Sequence, residues 1–90
     1  MSESDFEIFE HRGKWIIKRA GGTEEQHGHL NNKSMCYSVR NWILKGIMPE
    51  KQYFIGTVKR LLTQEELAYM KVKERQRYYN RTNMQFGRRV

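Results

Sequence analysis

Two short runs of aromatic and β-branched residues, Phe6-Glu7-Ile8-Phe9-Glu10 and Lys14-Trp15-Ile16-Ile17-Lys18-Arg19, are parted only by His11-Arg12-Gly13. Such runs fit a pleated, half-buried surface, and Gly13 can take the positive φ that a tight hairpin turn needs. The spacing therefore predicts an antiparallel hairpin. Gly21-Gly22 is a second turn signal. Glu25 to Leu30 is then expected to return as a third strand, weakened at Gly28, where a bulge would be natural.

Beyond residue 31 the period changes. Asn31 or Asn32 can cap a helix in which Met35, Val39 and Ile43 repeat at i, i+4, with Cys36 and Trp42 flanking the same face. Gly46 supplies the stop and Pro49 follows it. A second helix is predicted over Glu50 to Leu62, burying Phe54, Val58 and Leu61, with Tyr53 a further candidate. Thr63 and Glu66 have the spacing of a capping box, and Leu62 and Leu67 that of a hydrophobic staple, so a third helix opens there. It is expected to run to about Tyr79, with only its first half buried. The predicted class is α+β: a three-stranded antiparallel sheet packed by one helix, then two further helices and a basic C-terminal tail. Residues 1–5 are expected to be a disordered acidic start, 6–79 one small domain and 80–90 a flexible basic tail.

Charge is divided sharply along this plan. Residues 1–10 hold Glu3, Asp5, Glu7 and Glu10 and no base, whereas 67–90 hold seven bases against Glu74 alone. Tyr69, Tyr78, Tyr79 and Phe86 are interleaved with those bases. With a net charge of +7 in 90 residues, the chain suits an anionic partner, and nucleic acid comes first. Lys and Arg release counterions from phosphates, and aromatic rings can stack on bases. Cys36 is the only cysteine, so no internal disulfide can form, which suits a reducing compartment. No apolar run approaches the ~20 residues a membrane span needs. The acidic start is the reverse of a secretory leader. A cytoplasmic or nucleoid location is expected. So small a chain leaves little room for a buried catalytic pocket, so no enzymatic activity and no cofactor are expected.

Two surfaces stand out. Along the second strand, Trp15, Ile17 and Arg19 share one face, and Lys14, Ile16 and Lys18 the other. One face must be covered by a helix. The face left open then mixes bases with a large apolar group, as a ribbon entering a DNA major groove would. Lys14, Trp15, Lys18 and Arg19 are the candidate groove or backbone contacts; alternatively, Trp15 is core and the lysines only solubilise. In the C-terminal helix, Lys73, Arg77 and Arg81 form one basic stripe, with Lys71 and Arg75 beside it. A double stripe can track the phosphates of DNA or RNA, or dock on an acidic protein face.

Gly13-Lys14-Trp15, Gly28-His29-Leu30 and Asn32-Lys33-Ser34-Met35-Cys36 occur in the order of a known DNA-binding fold. Residues 6–45 resemble the N-terminal arm-binding domains of phage-type tyrosine integrases and the plant ethylene-response-factor domains. The resemblance implies a three-stranded sheet laid in the major groove and read by Trp15, Arg19 and their neighbours. A second resemblance spans residues 38–67. Ser38-Val39-Arg40-Asn41-Trp42-Ile43, Gly46-Ile47-Met48-Pro49 and Thr63-Gln64-Glu65-Glu66-Leu67 are similar to excisionase and MerR-type winged helices. That likeness implies Arg40 as the groove residue and Lys59-Arg60 on a wing.

His27-Gly28-His29 places two imidazoles on one side of a strand, where they could share a metal ion. The further ligands open to them are His11, Glu25 and Cys36, none at diagnostic spacing, and Asp5 is the sole aspartate. Polar sheet-edge or partner-contact histidines are the preferred reading, and Cys36 is expected in the core. The favoured function is a small non-catalytic protein of a bacteriophage or mobile element that binds duplex DNA, with RNA as a lesser candidate. The rival is an inhibitor docking on an acidic surface of a host nucleic-acid machine such as a nuclease, polymerase or CRISPR effector. A metal-dependent nuclease using His27 and His29 is a remote third.

Overall fold

The computed structural model describes residues 1–70. Strands β1 (Phe6–His11), β2 (Lys14–Arg19) and β3 (His27–Leu30) form an antiparallel sheet in the order β1-β2-β3. Helices α1 (Lys33–Lys45) and α2 (Gln52–Leu61) follow, and α3 occupies residues 64–70. The class is α+β, as predicted. The expected run of the last helix to Tyr79 and the tail at 80–90 lie outside the described residues. Glu3–Asp5 makes one 3-10 turn, in which Asp5 Oδ2 accepts from the Ser2 backbone N–H at 2.8 Å. A carboxylate at the turn's end satisfies a donor that a disordered segment would leave to water.

His11 pairs with Lys14, so the β1–β2 loop is two residues long. Arg12 and Gly13 both have positive φ, 51° and 78°. That is the primed turn whose twist matches flanking strands, and it favours Asn-Gly over Arg-Gly. Arg12→Asn should therefore stabilise the fold by roughly 0.5 kcal/mol. A urea midpoint that fails to rise would contradict this.

Register decides which face is buried. Ile8 lies opposite Ile17, Phe6 opposite Arg19, Trp15 opposite Leu30 and Ile17 opposite Gly28. Phe6, Ile8, Trp15, Ile17, Arg19, Gly28 and Leu30 thus share one side. Phe6, Ile17 and Leu30 are buried there with Cys36, Val39 and Ile43 of α1, Val58 and Leu61 of α2, and Leu62, Leu67 and Met70. β3 has no bulge; its pairing with β2 is regular from Lys18–His27 to Trp15–Leu30. Gly28 serves instead for close approach. A Cβ there would lie 2.5 Å from Thr57 Cγ2, so the missing side chain lets α2 settle on β3.

The helix ends follow their local signals. Asn32 Oδ1 accepts from the Met35 N–H at 2.9 Å. Gly46 takes φ 72°, donates to Ile43 O at 3.0 Å, and Ile47 donates to Trp42 O at 2.8 Å. This paired closure needs a left-handed residue, hence glycine. Thr63 Oγ1 accepts from the Glu66 N–H at 3.2 Å while Glu66 Oε1 accepts from the Thr63 N–H at 2.9 Å, completing the capping box. Leu62 and Leu67 are both buried beside it. α2 is shorter than expected and is sunk on Thr57, Val58 and Leu61. Tyr53 is exposed, but its hydroxyl donates to His29 O at 2.6 Å and so ties α2 to the outer strand.

Candidate nucleic-acid interface

The other side of the sheet has no helix over it among the described residues. Pairing arranges it in three rows: Glu7, Lys18 and His27; Phe9, Ile16 and His29; His11 and Lys14. Lys14, His29, Phe9, His11 and Glu7 are exposed, and Lys18 and His27 are half-buried. Ile16 is only 7 % exposed although it faces outward, since Phe9 and His29 flank it in its row. The face therefore has an apolar centre line with lysine on either side. Glu7 sits directly across from Lys18 and offsets part of its charge. Glu24 and Glu25 are exposed in the β2–β3 loop, whereas Arg12 and Lys14 lie at the hairpin end. The hairpin end is thus the more cationic.

Lys14 and Lys18 stand on this open face, but Trp15 and Arg19 do not. The covered side was the one that also holds Phe6 and Ile8, and burying it takes Trp15 and Arg19 with it. Trp15 is half-buried against the core, with the Lys33 ammonium 5.7 Å from its ring centroid. Arg19 grips α3. Its Nη1 donates to Glu66 Oε1 at 2.8 Å and its Nη2 to Glu66 Oε2 at 2.7 Å. Nη1 also reaches Leu61 O at 3.4 Å, and the guanidinium lies over Phe6 at 5.4 Å. The fork holds the Glu66 carboxyl at about 2, against the opposing effect of partial burial and with help from the Thr63 N–H. The same hydrogen bonds raise the Arg19 pKa. Arg19 is therefore a clasp between sheet and helix, and neither it nor Trp15 is available to read a groove from the open face.

Arg40 is likewise engaged within the fold. It stacks on Tyr37 at 4.7 Å, and its Nη2 is 3.8 Å from Glu3 Oε1. Its Nε is buried with no hydrogen-bond partner among the described residues. The segment that a winged helix would use as its wing, from Gly56 to Leu67, is helical on both sides of Leu62 and Thr63, and Lys59 and Arg60 lie on α2. Lys71, Lys73, Arg75, Arg77 and Arg81 lie outside the described residues.

His27 and His29 do meet, their ring centroids 5.1 Å apart and edge to face. His27 Nδ1 is 2.6 Å from Glu24 O. No group of three His, Cys, Asp or Glu able to hold a metal ion occurs among the described residues. Cys36 is fully buried, which pushes its thiol pKa up and makes it a packing residue. No helix among the described residues is long and apolar enough to cross a membrane. In comparisons with known proteins, no family model, no curated sequence and no solved structure matches the chain.

Proposed function

We propose that this chain is a non-catalytic domain that binds duplex DNA by laying the open face of its sheet in the major groove. The observation that carries the proposal is that face itself: Lys14 and Lys18 on either side of the Phe9–Ile16–His29 row, with no helix of the described residues over it. Three strands span about 10 Å between their outer axes. The major groove of B-DNA is about 12 Å wide and takes such a ribbon, whereas the deep, narrow major groove of A-form RNA does not. In this pose Lys14 and Lys18 displace counterions from phosphates or donate to guanine edges, and Phe9 offers apolar contact to a thymine methyl. The resemblance of residues 6–45 to phage integrase arm-binding domains supports a setting in a bacteriophage or other mobile element. The charge of Lys71, Lys73, Arg75, Arg77 and Arg81 supports added phosphate contact.

The test is fluorescence anisotropy with a labelled random duplex at low and moderate salt. Binding should weaken steeply with salt. Lys14→Gln combined with Lys18→Gln should lower affinity about tenfold. An unchanged affinity in the double variant would remove the sheet face from the site. Absence of duplex binding at low salt would end the DNA-binding reading.

One observation favours a protein partner instead. Trp42, Ile47, Met48, Pro49 and Phe54, together with the charged Glu50 and Lys51, line an open, mostly apolar cleft of about 470 Å3 between the end of α1 and the start of α2. Trp42 and Phe54 meet edge to face at 5.4 Å. A cleft of that kind can take an apolar anchor, as an inhibitor of a host nucleic-acid machine would require.

A further inference from the structure

We infer that the crevice between β3 and α2 is a seat for one backbone phosphate of the bound duplex, held by Arg60 and His29; this rests on the DNA-binding reading above. The crevice has a volume of about 430 Å3 and is lined by His29, Gln52, Tyr53, Gly56, Thr57 and Arg60.

Its polar groups divide into those already used and those left over. The Tyr53 hydroxyl is committed to His29 O at 2.6 Å, and Thr57 Oγ1 to Tyr53 O at 3.3 Å. These bonds fix the wall. The Arg60 side chain is exposed and makes no hydrogen bond or ion pair among the described residues. No carboxylate lines the crevice. A free guanidinium beside an imidazole, with no acid to neutralise either, is a donor set for an anion. Gly56 leaves the flank of α2 bare: a Cβ there would meet nothing within 4 Å, so an anionic oxygen can approach without displacing a side chain.

Position supplies the identity of the anion. His29 belongs both to the crevice and to the central row of the open face. With its outer strand axes about 10 Å apart, the sheet spans a groove about 12 Å wide, so the sugar–phosphate walls fall along its outer strands. On the β3 side the wall runs past α2, which Tyr53 and Gly28 hold against that strand. The crevice lies there. Arg60 thus positions the duplex laterally, while Lys14 and Lys18 act within the groove.

The experiment is a salt series of duplex affinity for the wild-type chain, Arg60→Gln and Lys59→Gln. Lys59 is the neighbouring exposed base on α2 and does not line the crevice. Arg60→Gln should reduce the slope of log affinity against log salt by about one and weaken binding roughly threefold to tenfold. Lys59→Gln should change the slope by less than half as much. If Arg60→Gln leaves the slope unchanged, or if both variants lower it equally, the phosphate seat is overturned while the sheet-face reading stands. If the wild-type chain does not bind duplex at low salt, both are overturned.

Discussion

Arg19→Ala should lower the unfolding free energy by about 3 kcal/mol at neutral pH, because it strips a bidentate partner from a carboxylate that stays largely covered. The Arg19 and Glu66 side chains are only 15 % and 23 % exposed. Leu61 O would also lose one donor, although Gln26 Nε2 still reaches it at 2.9 Å. A domain this small has roughly 5–10 kcal/mol in all, so the loss should be plain in a urea titration. Acid should reproduce part of it. The Glu66 carboxyl is depressed from 4.5 to about 2 in the folded chain. A depressed acid stabilises the fold above its unfolded pKa and loses that contribution as pH falls through the folded one. Glu66 should therefore support the fold fully above about pH 4.5 and progressively less down to about pH 2. In Arg19→Ala that acid-sensitive component should shrink. Equal stabilities for the two proteins at pH 6, with the same loss toward pH 3, would show that the clasp contributes nothing.

Gly28→Ala should cost about 2 kcal/mol, the scale of overpacking one methyl group in a close-packed interior. The new Cβ would stand 2.5 Å from Thr57 Cγ2, and Thr57 is buried, so one of the two segments must move. The identity of the obstructing atom makes the prediction specific. Thr57→Ser removes Cγ2 and keeps the hydroxyl bonded to Tyr53 O. In the double variant Gly28→Ala with Thr57→Ser, most of the loss should return, giving a coupling energy of at least about 1 kcal/mol. Strictly additive effects would mean that Gly28 is required for another reason.

These two sites also mark where the sequence stops being readable. What lies within five or six residues along the chain was legible: a cap at Asn31 or Asn32, the Gly46 stop, the Thr63–Glu66 capping box and a turn within His11-Arg12-Gly13, which the structure narrows to Asn32 and to Arg12-Gly13. The α+β class follows from adding those local signals in order. Contacts across the fold were not legible. Glu66 announces itself as a capping residue, and nothing near it in sequence says that it also receives Arg19 from 47 positions away. Gly28 looks like a weak point in a strand because its partner, Thr57, belongs to another element. For the candidate site the strand alternation correctly separated Lys14, Ile16 and Lys18 from Trp15, Ile17 and Arg19, but it did not say which set is covered. A two-residue loop at Arg12-Gly13 sets Ile8 against Ile17 and Phe6 against Arg19. Carrying that register across would have shown the apolar neighbours of β1 gathering on the Ile17 side. Trp15 and Arg19 are candidate contacts because an aromatic and a base beside lysines resemble a binding strip, with a core Trp15 as the alternative; their cross-strand neighbours place both on the covered side.

The short hairpin loop has one more consequence. In β2 every second side chain serves the interior and every other one the exterior, with no residue to spare between Lys14 and Arg19. An insertion or deletion of a single residue on either side of Arg12-Gly13 would not shift the surface gradually. Unless a longer turn absorbed it, it would slip the register and exchange the two sets, sending Ile17 to water and Lys18 into the apolar layer. Point substitutions can retune the outward set one position at a time, whereas a length change that slips the register alters every outward position at once and uncovers the core. The two-residue loop thus fixes, through register alone, which half of β2 meets water and which half meets the core.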